Sequence, residues 1–130
     1  MIYLDTSVAL AQLLAEDRKP PADLWAEPLV SSRLLEYEIW TRIHARKLTA
    51  SHGEAVRALL ARVAFVELDR PVLARALEPF PTRLATLDAL HLASAQFLRE
   101  HGQEVAMASY DRQMVRAARA VGLTIHPLRG

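Results

Sequence analysis

Short apolar runs alternate with longer helical stretches along the whole chain, and few architectures accept that alternation. Ile2 to Leu4, Leu29-Val30, residues 65–68, residues 104–109 and residues 123–125 each read as a strand. Apolar residues at helical spacing fill the intervals at 8–16, 33–47, 54–63, 87–100 and 112–121. A further helix opens at Asp69, with Pro71 just inside it. Strands separated by helices pair in parallel, and a parallel sheet is covered on both faces. The expectation is an α/β fold: a three-layer α/β/α sandwich with a mostly parallel central sheet.

Punctuation supports these intervals. Thr6 or Ser7 is the expected cap of the first helix, and Lys19-Pro20-Pro21 breaks it. Ser32 caps the second helix, Thr49 or Ser51 starts the third, and Thr86 caps the apolar helix that stops at His101-Gly102. Gly122 ends the last one. No repeat, linker or low-complexity tract divides the chain, so residues 1–130 are expected to form one domain, a common size for one.

The bulk properties exclude more than they identify. Formal net charge is +1, so no global basic field announces a nucleic-acid partner, although a local basic rim can serve one. The absence of cysteine removes disulfides and thiolate metal sites, and fits a reducing cytoplasm. No apolar stretch is long enough to span a bilayer, and the N-terminus has no signal-type pattern. The expected setting is cytoplasmic, with no membrane contact.

Acidic residues stand where the apolar pattern makes them costly. Asp5 closes the opening apolar run, and Asp111 follows Val105-Ala106-Met107-Ala108-Ser109-Tyr110. Asp88 lies at the start of Leu87-Asp88-Ala89-Leu90-His91-Leu92-Ala93, and Glu38 lies in the second helix. An ionised carboxylate beside apolar sequence needs compensation. Ligand sites of open α/β sheets lie beyond the carboxyl ends of the strands, where Asp5 and Asp111 both fall. A hard divalent cation, which prefers oxygen ligands, is the natural partner of converging carboxylates. Each acid also has an ordinary use: Asp5 and Asp111 as helix caps, Asp88 as a complement to a helix dipole, Glu38 as a solvated residue. Only the joint pattern points to a site.

These residues, in this order, resemble the PIN-domain ribonucleases, and among them the VapC-type toxins of VapBC toxin–antitoxin pairs. The resemblance rests on Ile2-Tyr3-Leu4-Asp5-Thr6-Ser7, Val30-Ser31-Ser32 followed by Glu38, Thr86-Leu87-Asp88-Ala89-Leu90-His91-Leu92-Ala93, and Ser109-Tyr110-Asp111-Arg112. It implies a PIN-like sandwich and an endoribonuclease that uses Mg²⁺ or Mn²⁺ held by Asp5, Glu38, Asp88 and Asp111. It further implies tRNA or rRNA as substrate, inhibition of translation, a cognate VapB-type antitoxin and a homodimer. Ser109 stands where the family often has Thr, which keeps the hydroxyl. Either Glu36 or Glu38 can supply the second acid. They lie about 200° apart on a helix, so only one faces the site; the spacing from Ser32 and the position of Arg42 one turn on favour Glu38.

Around the acids, Thr6 and Ser109 are candidates to brace a carboxylate or a bound water. Arg42, Arg112 and Arg116 are candidates for RNA phosphate contacts, with solvated faces as the commoner use of such residues. His91, one turn past Asp88, reads as a hydrogen-bonded core residue ahead of a ligand or base. The other histidines form no ligand-spaced cluster, which disfavours zinc. Trp25, Tyr37 and Trp40 are too scattered for a base-stacking platform. Two other functions compete. A phosphoaspartate phosphatase needs a second Asp two residues after Asp5, where Ser7 stands. A non-catalytic α/β module that binds RNA or protein through the same pocket does not need four acids.

Overall fold

The computed structural model describes residues 1–129. Five strands and six α-helices alternate: β1 (Ile2–Leu4), α1 (Thr6–Leu14), β2 (Leu29–Ser32), α2 (Leu34–Ala45), α3 (Thr49–Leu60), β3 (Val63–Val66), α4 (Arg70–Leu77), α5 (Thr86–Glu100), β4 (Ala106–Ala108), α6 (Arg112–Ala120) and β5 (Thr124–Ile125). A short 3₁₀ turn at Ala22–Ala26 precedes β2.

All strand pairings are parallel, in the order β3-β2-β1-β4-β5. The pleat of β1 sorts its side chains between two cores. Ile2 and Leu4 pack with Val8, Leu35, Ile39, Ile43 and Val56 from α1, α2 and α3. Tyr3 packs on the other face with Val72, Leu92, Ala93, Met114 and Ala117 from α4, α5 and α6. The fold is therefore the three-layer α/β/α sandwich with a parallel sheet. Its strand order reverses at β1: the chain runs outward through β2 and β3, then returns to place β4 on the other side of β1. The crevice between β1 and β4, at their carboxyl ends, is the topological switch point where open α/β sheets bind ligands.

Several local expectations need correction. Thr6 and Ser7 do not cap α1; Asp5 occupies the cap position, and the two hydroxyls lie in the helix's first turn with carboxylates as partners. Thr86 is likewise inside α5, with Ala85 at the cap position. Helix α3 begins at Thr49, one of its two expected start residues, but it ends at Leu60, and Val63 belongs to β3 rather than to the helix. That shift gives Val63 a ladder partner in Leu29 and a place in the core, a tertiary gain that helical spacing cannot register. Arg33 occupies the cap position of α2, one residue after the expected Ser32, whose hydroxyl accepts from the Leu34 N–H at 3.0 Å. Asp69 accepts from the Val72 N–H, and Gly122 adopts the left-handed backbone (φ 84°) that ends α6.

Candidate active site

Four separate elements deliver the acids to one cavity. Asp5 follows β1, Glu38 comes from α2, Asp88 from the first turn of α5, and Asp111 from the start of α6 after β4. All four line a cavity of about 520 Å³ at the switch point, together with Glu16, Asp17, Arg18, Arg42 and Tyr110. Six carboxylates thus face two guanidiniums.

Three of the four acids are held in the same way. Asp5 Oδ2 accepts from the hydroxyls of Ser7 (2.7 Å) and Ser109 (2.8 Å). Glu38 Oε1 accepts from the Thr6 hydroxyl (2.8 Å) and lies 2.7 Å from His91 Nε2. Asp111 Oδ1 accepts from the N–H groups of Gln113 (2.8 Å) and Met114 (3.3 Å), capping α6. Each carboxylate is pinned through one oxygen. Among the described residues, no hydrogen bond reaches Asp5 Oδ1, Glu38 Oε2, Asp111 Oδ2 or either oxygen of Asp88.

Hydroxyls tie these holders to one another. Ser109 donates to Asp5 and accepts from the Asp111 N–H at 2.9 Å. Ser7 donates to Asp5 and accepts from the Tyr110 N–H at 3.0 Å. The Asp5 N–H extends the β1–β4 ladder to the Ala108 carbonyl at 3.0 Å. Asp5 itself is 3% exposed, so its orientation is set by the fold rather than by solvent.

Asp88 is the uncompensated member. Burial raises its pKa first, and the carboxylates of Asp111, Asp5 and Glu38 add to the rise, partly offset by His91; the result is about 6. Among the described residues, no three acidic or histidine side chains form a ready-made metal-ligating group. The donor set nevertheless fits a hard divalent cation: oxygen ligands only, one open oxygen on each of three pinned acids, and surplus negative charge registered on the fourth.

The two glutamates of α2 part company. Glu36 pairs with Arg33 at 3.2 Å, and Arg33 also holds Glu67 at 2.7 Å, away from the cavity. Glu38 lines the cavity. Arg42 lines the same cavity, whereas Arg112 and Arg116 line a neighbouring one with Arg18, Arg119, Ser109 and Tyr110. Arg18 and Tyr110 border both; the Arg18 guanidinium lies 5.4 Å from the Tyr110 ring centroid and donates to the Tyr110 carbonyl. Sequence reasoning missed Ser7, Tyr3 and Arg18 as parts of the site. Ser7 carried a signal, a hydroxyl two residues after an acid, but it also suited a cap. Tyr3 in an apolar run and Arg18 in a loop carried none.

An acidic crevice at the switch point of a parallel α/β/α sandwich is the layout of a polar ligand site rather than of a structural core. The chain belongs to the PIN-domain family, whose model matches residues 2–120. It is 30% identical to ribonuclease VapC47 of Mycobacterium tuberculosis (strain CDC 1551 / Oshkosh), over 94% of this chain and 93% of that protein. It is 34% identical to ribonuclease VapC46 of M. tuberculosis (strain ATCC 25618 / H37Rv), over 95% of each. The crystal structure of M. tuberculosis VapC20, described as a Sarcin-Ricin loop cleaving toxin, superposes with a TM-score of 0.67 over 98% of this chain and all of that one; at 20% identity it speaks to the fold alone. No helix among the described residues is long and apolar enough to cross a membrane.

Proposed function

We propose that this chain is a VapC-type endoribonuclease dependent on Mg²⁺ or Mn²⁺, with residues 1–130 acting as one catalytic domain. The observation that carries the proposal is the shared construction of Asp5, Glu38 and Asp111, each pinned through one oxygen with the other unoccupied, around an Asp88 whose charge lacks a partner. The chemistry supplied by the cation is activation of a water for in-line attack on phosphorus and neutralisation of the leaving oxygen. Asp5, Glu38, Asp88 and Asp111 are the residues that would hold it. Thr6, Ser7 and Ser109 keep the carboxylates from rotating, so no reorganisation is needed when the anionic phosphate arrives. Arg42 is placed to steady that phosphate, and the Arg112, Arg116 and Arg119 cavity suits the phosphates that flank it.

The relatives' names support RNA as the substrate and, for VapC-type proteins, a VapB-type antitoxin as the partner; the proposed site of action is the cytoplasm. The expected target is tRNA or rRNA, and the expected consequence is inhibited translation. An antitoxin that presents an arginine to the open carboxylate oxygens would meet the charge of the crevice. A homodimer is supported by an apolar groove between α4 and α5, lined by Leu73, Leu77, Phe80 and Leu90, where Leu77 is 88% exposed.

The test is cleavage of purified total RNA with Mn²⁺ against EDTA. Wild type and Glu36→Gln should cleave with Mn²⁺ only, and Glu38→Gln should not cleave. Metal-independent cleavage, or loss in Glu36→Gln with Glu38→Gln active, contradicts the assignment. RNA binding without cleavage by the wild type would favour the binding-module reading.

A further inference from the structure

His91 is a fully buried polar residue that the nuclease reading leaves without a task. It is 1% exposed, yet both ring nitrogens have close partners: Nδ1 lies 2.7 Å from the Tyr3 hydroxyl, and Nε2 lies 2.7 Å from Glu38 Oε1 and 3.1 Å from Thr6 Oγ1. The protons on this chain can be assigned from its far end. The Tyr3 oxygen accepts from the Ser32 N–H at 3.1 Å, which leaves its own proton free to donate. A tyrosine hydroxyl keeps its proton at neutral pH, so that proton is available. Its close partner is Nδ1, which a neutral imidazole must then leave bare. The ring proton sits on Nε2 and points at Glu38. The opposite tautomer would face an unprotonated Nε2 with a carboxylate oxygen at 2.7 Å, lone pair against lone pair. In an imidazolium, Nε2 also carries a proton, so donation to Glu38 holds in either charge state. Thr6 completes the arrangement: its hydroxyl proton goes to the same Oε1, and its oxygen faces Nε2.

We propose that His91 is a positioning residue of the nuclease site: oriented by Tyr3 on the sheet, its Nε2–H fixes one oxygen of Glu38 and reserves the other for the cation. The inference rests on the metal-dependent reading above. Tyr3 and the α5 residues that follow His91 belong to one core of the sandwich, and Glu38 lies on α2, which packs in the other, so the chain Ser32–Tyr3–His91–Glu38 links α5 to α2 over the end of the sheet. Partners that orient a metal ligand in this way are worth on the order of 10- to 100-fold in metal affinity.

The test is Mn²⁺ affinity, read by the loss of the free-ion paramagnetic resonance signal, with nitrogen-15 NMR of the metal-free protein beside it. His91→Phe should weaken Mn²⁺ binding about tenfold or more, and His91→Gln, whose amide can still donate to Glu38, should recover most of the loss. In a Glu38→Gln background, His91→Phe should have no further effect, which a merely structural role would not produce. The NMR spectrum should show His91 protonated at Nε2, and it needs no variant to fold. Wild-type-like Mn²⁺ binding by folded His91→Phe overturns the proposal, as does a neutral His91 protonated at Nδ1 only. A wild type that does not bind Mn²⁺ at all overturns the metal-dependent reading, and the proposal with it.

Discussion

At the scale of single residues, the side chains least at ease report the site best. Asp5, Glu38 and Asp111 each have protein donors, and Asp88 has none. A pKa raised to about 6 means that the fold prefers Asp88 protonated. The unfolded chain titrates near the ordinary carboxylate value, about 3.9. The stabilisation from protonated Asp88 is therefore fully present below about pH 4 and is lost as pH rises toward 6. Asp88→Asn removes this dependence. In the absence of metal, the variant should melt higher than wild type at pH 7, and the gap should close between pH 6 and 4. Mn²⁺ should raise the melting temperature of the wild type and do so much less for the variant. Calorimetry across that pH range checks both; a gap that stays constant with pH contradicts the assignment. Asp88 was legible as a candidate because it stands in so apolar a helix. Its lack of a partner was not, because that depends on where the hydroxyls of Thr6, Ser7 and Ser109 turn.

At the scale of elements, the proposed function gives Asp111 a second duty beside its cap, and one substitution can separate the two. Its Oδ1 caps α6 through Gln113 and Met114, while Oδ2 accepts no hydrogen bond from the described residues. Loss of such a cap costs about 1 kcal/mol. Asp111→Asn keeps an accepting oxygen and should retain near wild-type stability while losing most RNA cleavage. Asp111→Ala should lose cleavage and about 1 kcal/mol besides. Urea denaturation of the two variants tells them apart; equal stability would show that the cap contributes nothing. This double use explains where sequence reading worked. Caps and strand ends put Asp5, Asp69 and Asp111 at the right boundaries, since local chemistry sets them. The membership of Val63 in β3 and the roles of Thr6 and Ser7 depend on long-range partners: Leu29 for Val63, Glu38 for Thr6, Ser109 and Tyr110 around Ser7. A reading limited to neighbours along the chain cannot see them.

At the scale of the whole molecule, the strand order decides the site. Reversal at β1 opens a crevice between β1 and β4, and Asp5 and Asp111 stand at its two sides because they follow those strands. The alternation of strands and helices made the parallel sandwich legible; the order of its strands was not, since several orders satisfy the same alternation. The homodimer proposed through the α4–α5 groove makes its own prediction. Leu77→Arg should convert a dimer in sedimentation to a monomer without unfolding it, because Leu77 is already exposed and lines the groove. A wild type that sediments as a monomer, or a variant that still sediments as a dimer, would contradict it. The central claim, that four acids from four elements form one cation site, is tested most directly by anomalous diffraction from crystals soaked in Mn²⁺. The expected result is a peak in the crevice at about 2.0–2.3 Å from the open oxygens: Asp5 Oδ1, Glu38 Oε2 or Asp111 Oδ2. No peak in the crevice at saturating Mn²⁺, with the strongest site elsewhere on the molecule, would contradict it.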